Sequence, residues 1–306
     1  MDRLTTYIPK QLIYYFYFDT FEFLEVYKLH FACINSYNDI FDQYTFIIGV
    51  DNINDEKLID HWKRIIIDNI KTDKNISFII EKNSKEYRDG IVCYKYLISK
   101  FNEFDGLVFW GHSKRDLSWD KNLIYKWICC IHYFNLLDIN SIENTLVSYN
   151  NKYCAHGSLL SACLGAYNKL EYMGGMYWVY PKKVLELYND EYELMISYFN
   201  TTIFELENNE DIQSTDNINI INLFGENWFY YFMNKHNMHS FQNSFISLIA
   251  YNGKIDVYTS FDPYVKSLDE LKYIYDDNLW NDMNNYYNKI INDITSVKEE
   301  ESTNRT

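Results

Sequence analysis

Five stretches of this 306-residue chain carry side chains able to do chemistry. Asp51 closes the apolar run Tyr44–Val50 and could accept hydrogen bonds from a nucleobase N–H or from ribose hydroxyls; it could also cap the following helix, a task for which Asn54 and Asp55 are better placed. Asn83 to Gly90 (NSKEYRDG) joins a helix start to Arg88, a combination suited to a diphosphate, although Arg88 suits a surface ion pair with Glu86 or Asp89 equally well. His112-Ser113-Lys114 follows a strand-like apolar run through Gly111. A cation there could stabilise a departing diphosphate electrostatically, as a divalent metal does elsewhere. The alternative is a polar loop after an edge strand.

Gly174-Gly175 precedes the bulky Met176-Tyr177-Trp178. Paired glycines permit close backbone approach to a ligand, and an indole stacks on the C–H face of a sugar; the same residues would equally make a tightly packed core strand. Glu226, in Gly225-Glu226-Asn227-Trp228, sets a carboxylate at the start of an aromatic helix, where it serves as a general base or simply complements the helix dipole. His236 and His239 lack acidic or thiol companions for a metal, and no Walker loop, G-x-G-x-x-G or G-x-S-x-G is present. Cys154-Ala155-His156 puts a thiol near an imidazole, but neighbours in sequence rarely meet in the geometry that nucleophilic catalysis needs.

These residues need a scaffold, and the apolar pattern supplies one. Leu12–Phe18, Tyr44–Val50, Ile76–Ile80 and Leu107–Trp110 are short, nearly continuous apolar runs, the signature of strands buried on both faces. Helical spacing fills the intervals at 21–40, 56–70 and 84–101. Four strand–helix units of this kind predict parallel crossovers and an α/β fold. Open α/β sheets bind ligands beyond the carboxyl ends of their strands, and Asp51, Lys82-Asn83 and His112-Ser113-Lys114 all follow strands. Further on, 119–149 reads as helical and Tyr172–Tyr180 as a buried strand or bend. Pro181 opens a helix, Phe224–Asn234 is an aromatic helix, and Leu268–Ile294 is a last amphipathic helix before a frayed polar tail.

Composition narrows the function. Lys and Arg number 28 against 43 Asp and Glu, a net charge of −15 that argues against nucleic acid as the main partner. The six cysteines form no C-x-x-C pair, which predicts reduced thiols and a cytoplasmic setting. No signal layout opens the chain and no apolar run approaches the length of a membrane span. The thirty Tyr and twenty Phe, with abundant Asn and Ile, reflect AT-rich coding more than function.

Together these segments resemble a glycosyltransferase of the GT-A fold over roughly 12–234. Asp51 in FIIGVDN resembles the aspartate that ends the second strand and contacts the nucleobase or ribose. Arg88 resembles the arginine of the "N-x-G…A-R-N-x-G" segment before the fourth strand. Most GT-A enzymes then carry a metal-binding Asp-x-Asp. The stretch Val108–Lys114 is instead similar to the "Y-x-H-[ST]-K-G" signature of a subset of bacterial and viral polysaccharide glycosyltransferases, with Arg115 in place of the final Gly. Gly175-Met176-Tyr177-Trp178 and Glu226-Asn227-Trp228 are similar to that subset's "G-N-F-W-W" segment and its later acid followed by Trp.

The resemblance implies a Rossmann-like, mostly parallel sheet flanked by helices, with a catalytic domain over 1–234, a helical or mixed C-terminal extension over 235–296 packed on it and a flexible tail over 297–306. It implies transfer of a hexosyl or related sugar from a nucleotide-diphosphate donor to a glycan hydroxyl, with inversion. Asn83, Asp51 and Arg88 would hold the nucleotide, and His112 and Lys114 would flank the diphosphate. Gly174, Gly175, Trp178 and Trp228 would shape the sugar and acceptor pocket, and Glu226 would be the base. The resemblance fixes no cofactor; a divalent ion (Mn or Mg), with Asp116 as its candidate ligand, is open and not expected to be essential. The alternative expectation is a non-catalytic carbohydrate-binding or structural protein on a decayed scaffold of this kind.

Overall fold

The computed structural model describes residues 7–18, 24–82, 96, 99–113, 121–148, 154–157, 160–163, 169–172, 176–187, 189–190, 192–193, 196–197 and 277–303. The four expected strands are present as β1 (Lys10–Tyr17), β2 (Gln43–Val50), β3 (Asn75–Lys82) and β4 (Leu107–His112). Helix α1 (Leu24–Asn35) links the first two strands and α2 (Glu56–Asn69) the next pair. The reason is legible in the residues: β1 is buried along almost its whole length, so both of its faces must be apolar. Asn83 and Arg88 lie outside the described residues.

The helical stretch expected over 119–149 is two helices, α3 (Lys121–Leu136) and α4 (Ile139–Val147). Asp138 breaks the run by capping α4, its carboxylate accepting the Ser141 N–H at 3.0 Å. Short strands follow: β5 (Ala155–His156), β6 (Leu160–Cys163), β7 (Lys169–Tyr172) and β8 (Tyr177–Val179). Helix α5 covers 181–187, and the long α6 spans Asp277–Thr303. The polar end expected to fray continues α6 as far as Thr303, in keeping with the helix propensity of its Lys and Glu residues.

The main sheet has the order β3-β2-β1-β4-β8-β5. Strands β1 to β4 pair in parallel. β8 runs antiparallel to both β4 and β5, so the sheet is mixed, with one reversed strand in an otherwise parallel set. The chain is therefore an α/β protein. β6 and β7 make a separate antiparallel pair.

Alternation along the strands divides the buried residues between two faces. Leu12, Tyr14, Phe16 and Phe18 join Tyr44, Phe46, Ile48, Leu107 and Phe109 in the main core. Tyr27 and Phe31 of α1, Trp62 of α2, Trp127 and Phe134 of α3 and Leu146 of α4 pack on that face. The opposite face carries Tyr15 and Tyr17 of β1, Gly49 of β2 and His112 of β4, with the pairs Tyr17–Gly49 and Tyr15–His112 in register. α6 returns to this body. Trp280 and Met283 enter the main core, and Ile290 packs with Leu29 and Cys33 of α1 and Ile128 and Cys129 of α3. No described helix is long and apolar enough to cross a membrane.

Candidate active site at the carboxyl edge of the sheet

Because β2, β1 and β4 are parallel neighbours, the residues after them emerge along one edge. Asp51 follows β2 directly, and Ser113 follows β4, its N–H donating to the Tyr15 carbonyl at 2.8 Å. With only β1 between them the two strand ends are two spacings of about 4.8 Å apart across the sheet, and the register carries the end of β2 three residues farther along than that of β4, which puts them about 14 Å apart. Strand parity sets Asp51 on the face of Gly49, Tyr17, Tyr15 and His112, the face opposite the main core.

Asp51 is exposed, and the buried Tyr17 phenol donates to its Oδ1 at 2.5 Å. The helix-cap alternative falls to Asp55, whose carboxylate accepts the Leu58 N–H at 3.0 Å, while Asn52 Oδ1 accepts the Asn54 N–H at 3.0 Å. Asp51 has no share in capping α2. Tyr17 is itself held at both ends: its carbonyl accepts the Tyr27 hydroxyl at 2.5 Å, and its strand neighbour Phe18 donates its N–H to the Gly49 carbonyl. Gly49 is where a missing side chain matters. A Cβ there would stand 2.3 Å from the hydroxyl oxygen of Tyr15, so only glycine lets that buried ring lie across β2 toward the edge.

His112 ends β4 almost wholly buried, and a polar hub lies beneath it on the core face. The Tyr14 hydroxyl is 2.6 Å from His30 Nδ1, 3.1 Å from His132 Nε2 and 3.2 Å from the His112 carbonyl, with the Met176 sulfur at 4.0 Å. One phenol proton cannot serve every acceptor; the short contact assigns it to His30 Nδ1. His132 then donates from Nε2 to the phenol oxygen, leaving its Nδ1, which has no hydrogen-bond partner among the described residues, as a bare lone pair. Burial holds the His132 pKa down to about 3, so the ring is neutral at pH 7. Gly111 makes the hub possible, since a Cβ would stand 2.5 Å from the Tyr14 ring. The hub thus ties α1, β4, α3 and Met176, the residue before β8, to one hydroxyl just under the candidate site.

Other expected positions settle differently. Trp178 is a correction: it is fully buried, stacks on Phe41 at 5.7 Å and donates its indole N–H to the Asn135 carbonyl at 2.8 Å. It occupies the core and has no face left for a sugar. Burial pushes the Cys154 thiol up to about 12 and the His156 imidazole down to about 4, the reverse of an activated thiol–imidazole pair. The buried Lys183 closes the C-terminus of α4, donating to the Leu146 and Ser148 carbonyls at 3.1 and 2.7 Å. Lys114, Asp116, Gly174, Gly175, Glu226 and Trp228 lie outside the described residues, as do His236 and His239.

Among the described residues no group of three His, Cys, Asp or Glu could hold a metal ion. A groove of about 450 Å³ lined by Phe101, Glu103, Asp105, Lys182 and Glu186 lies beside the segment that leads into β4, at the amino end of that strand and away from Asp51 and Ser113. Sequence reasoning missed Tyr17, Tyr15 and the Tyr14 hub. The run YYFYF looks like uniform core, and only the pairing register separates the tyrosines that face the edge from the one that faces the hub.

No protein-family model matches this chain, and no curated protein sequence matches it.

Proposed function

We propose that the chain is a glycosyltransferase that moves a sugar from a nucleotide-diphosphate donor to a hydroxyl of a glycan acceptor, with inversion at the anomeric carbon. One observation carries the reading: an exposed Asp51, held by Tyr17 and free of capping duty, shares an edge and a face of the parallel strands with His112. That edge is where open α/β sheets take nucleotides. Asp51 accepts a hydrogen bond from the nucleoside, and Asn83 and Arg88 are assigned to the same nucleotide from the sequence. His112 and Lys114 lie by the diphosphate and offset the negative charge that grows as the sugar bond breaks. Gly174, Gly175 and Trp228 are assigned to the sugar and acceptor pocket from the sequence. Glu226 takes the proton of the acceptor hydroxyl as its oxygen attacks the anomeric carbon and the nucleoside diphosphate leaves. Lys114 carries the positive charge in this scheme, and Asp116 is the candidate ligand for a divalent ion, which the scheme does not need.

The test is a panel of nucleotide sugars, each followed by thermal shift and by chromatographic detection of the released nucleoside diphosphate. A donor at 100 times its Kd adds about 2.7 kcal/mol of stability. Glu226→Gln is expected to cost roughly 10²–10⁴ in transfer rate with donor binding retained, and Lys114→Ala to slow donor turnover without unfolding the chain. A retained anomeric configuration, or full activity in Glu226→Gln, overturns the role of Glu226. Glycan binding without any response to a nucleotide overturns the enzyme reading in favour of a carbohydrate-binding protein.

A further inference from the structure

The Tyr17–Asp51 pair joins a buried donor to an exposed acceptor; the buried phenol needs an acceptor, while the carboxylate does not need the phenol. Surface carboxylates are well solvated by water, and α2 is already capped by Asp55. Tyr17, by contrast, is 1% exposed and fixed by the strand on either side and by the Tyr27 hydroxyl on its carbonyl, so its phenol oxygen is a rigid point. Among the described residues it is the one hydrogen-bond partner of the Asp51 carboxylate. A 2.5 Å bond from a fixed phenol to Oδ1 restricts the rotation of the exposed carboxyl group and leaves Oδ2 without a hydrogen-bond partner among the described residues.

We infer that Tyr17 is a positioning residue for nucleotide recognition: it locks Asp51 through Oδ1 so that Oδ2 meets a single N–H or O–H donor of a nucleoside diphosphate. This rests on the nucleotide-binding reading of the edge given above. The gain is preorganisation. The side-chain entropy that a free aspartate would lose on binding has already been lost on folding. With Oδ1 engaged, a lone donor such as a pyrimidine imide N–H or one ribose hydroxyl is better matched than the paired N–H groups of a guanine edge, which need both oxygens in line.

The experiment is isothermal titration of uridine, cytidine, adenosine and guanosine diphosphates, each alone, into the full chain and into Tyr17→Phe, Asp51→Asn and the double variant, with thermal midpoints recorded for all four proteins. Tyr17→Phe is expected to weaken the best-bound nucleotide roughly three- to tenfold, the range of one net hydrogen bond. The double variant is expected to bind no more weakly than Asp51→Asn, because in this scheme Tyr17 reaches the nucleotide through that carboxylate. A purely structural tyrosine would instead weaken binding equally whether or not Asp51 is present. Full additivity of the two substitutions, an unchanged affinity in Tyr17→Phe, or tightest binding of guanosine diphosphate in the unaltered chain overturns the inference. If the unaltered chain binds none of the four nucleotides, the underlying nucleotide reading fails, a result distinct from those three.

Discussion

Acidification from pH 7 to pH 5 is expected to remove a large share of this protein's stability, through two buried imidazoles. His132 is fully enclosed; among the described residues the groups that face it are the Tyr14 phenol, the His30 ring and the Phe109 ring, with no carboxylate to balance an imidazolium. Burial holds its pKa down to about 3. His156 is held down to about 4, again by burial, with Asp138 opposing in part. In the unfolded chain both return to about 6.5. Below that value the unfolded state takes up protons that the folded state refuses, so stability is full above about pH 6.5 and falls as the pH drops toward the folded values. At about 1.4 kcal/mol per pH unit, each histidine costs about 2 kcal/mol by pH 5, and the pair about 4 kcal/mol. Against a total of roughly 5–15 kcal/mol this is severe. Urea unfolding followed by tryptophan fluorescence at pH 7, 6 and 5 reads it directly. With a slope of about 3 kcal/mol per molar urea, the midpoint should move down by roughly 1 M. Replacement of His132 by the non-titrating Gln should halve the pH dependence whatever it does to stability at pH 7. A midpoint that does not move between pH 7 and pH 5 refutes the reasoning.

Two substitutions test the packing that builds the edge. Gly49→Ala would set a Cβ 2.3 Å from the hydroxyl of the buried Tyr15, and thermal unfolding should report a loss of about 1–3 kcal/mol, the usual cost of forcing atoms into a filled core; a neutral result would mean that the Tyr15 ring is not fixed over β2. Trp178→Phe removes the indole donor to the Asn135 carbonyl and part of the stack on Phe41, so stability should fall by about 1–3 kcal/mol while donor affinity in the remaining folded protein is unchanged. A selective loss of sugar binding with intact stability would return Trp178 to the pocket.

Much of the scaffold was legible because β1, β2 and β4 are apolar on both faces, a pattern that central parallel strands share and solvent-facing strands do not. The rule that ligands gather at carboxyl ends then pointed to Asp51 and His112, and the two strand ends do lie on one edge. The reversed β8 was not legible: three residues carry no record of strand direction, which only the pairing with Val108, Phe109 and Trp110 reveals. Trp178 illustrates the ambiguity of a tryptophan after paired glycines, where composition is the same for a sugar platform and for core, and a hydrogen bond to Asn135 decides for core. The break at Asp138 was missed because apolar spacing continues across it, although an Asp three residues before Ser141 is a recognisable cap. Tyr17 was hidden by its neighbours; its value lies in register with Gly49 and Asp51, a relation between two strands rather than a property of either.

A crystal structure of the chain soaked with the nucleoside diphosphate that binds tightest addresses the central claim most directly. The nucleoside should lie beyond the carboxyl ends of β1 and β2 with its polar edge on Asp51, and the diphosphate should run across the end of β1 toward the end of β4. A nucleotide seated in the groove beside Phe101 and Lys182, at the amino end of β4, would contradict it.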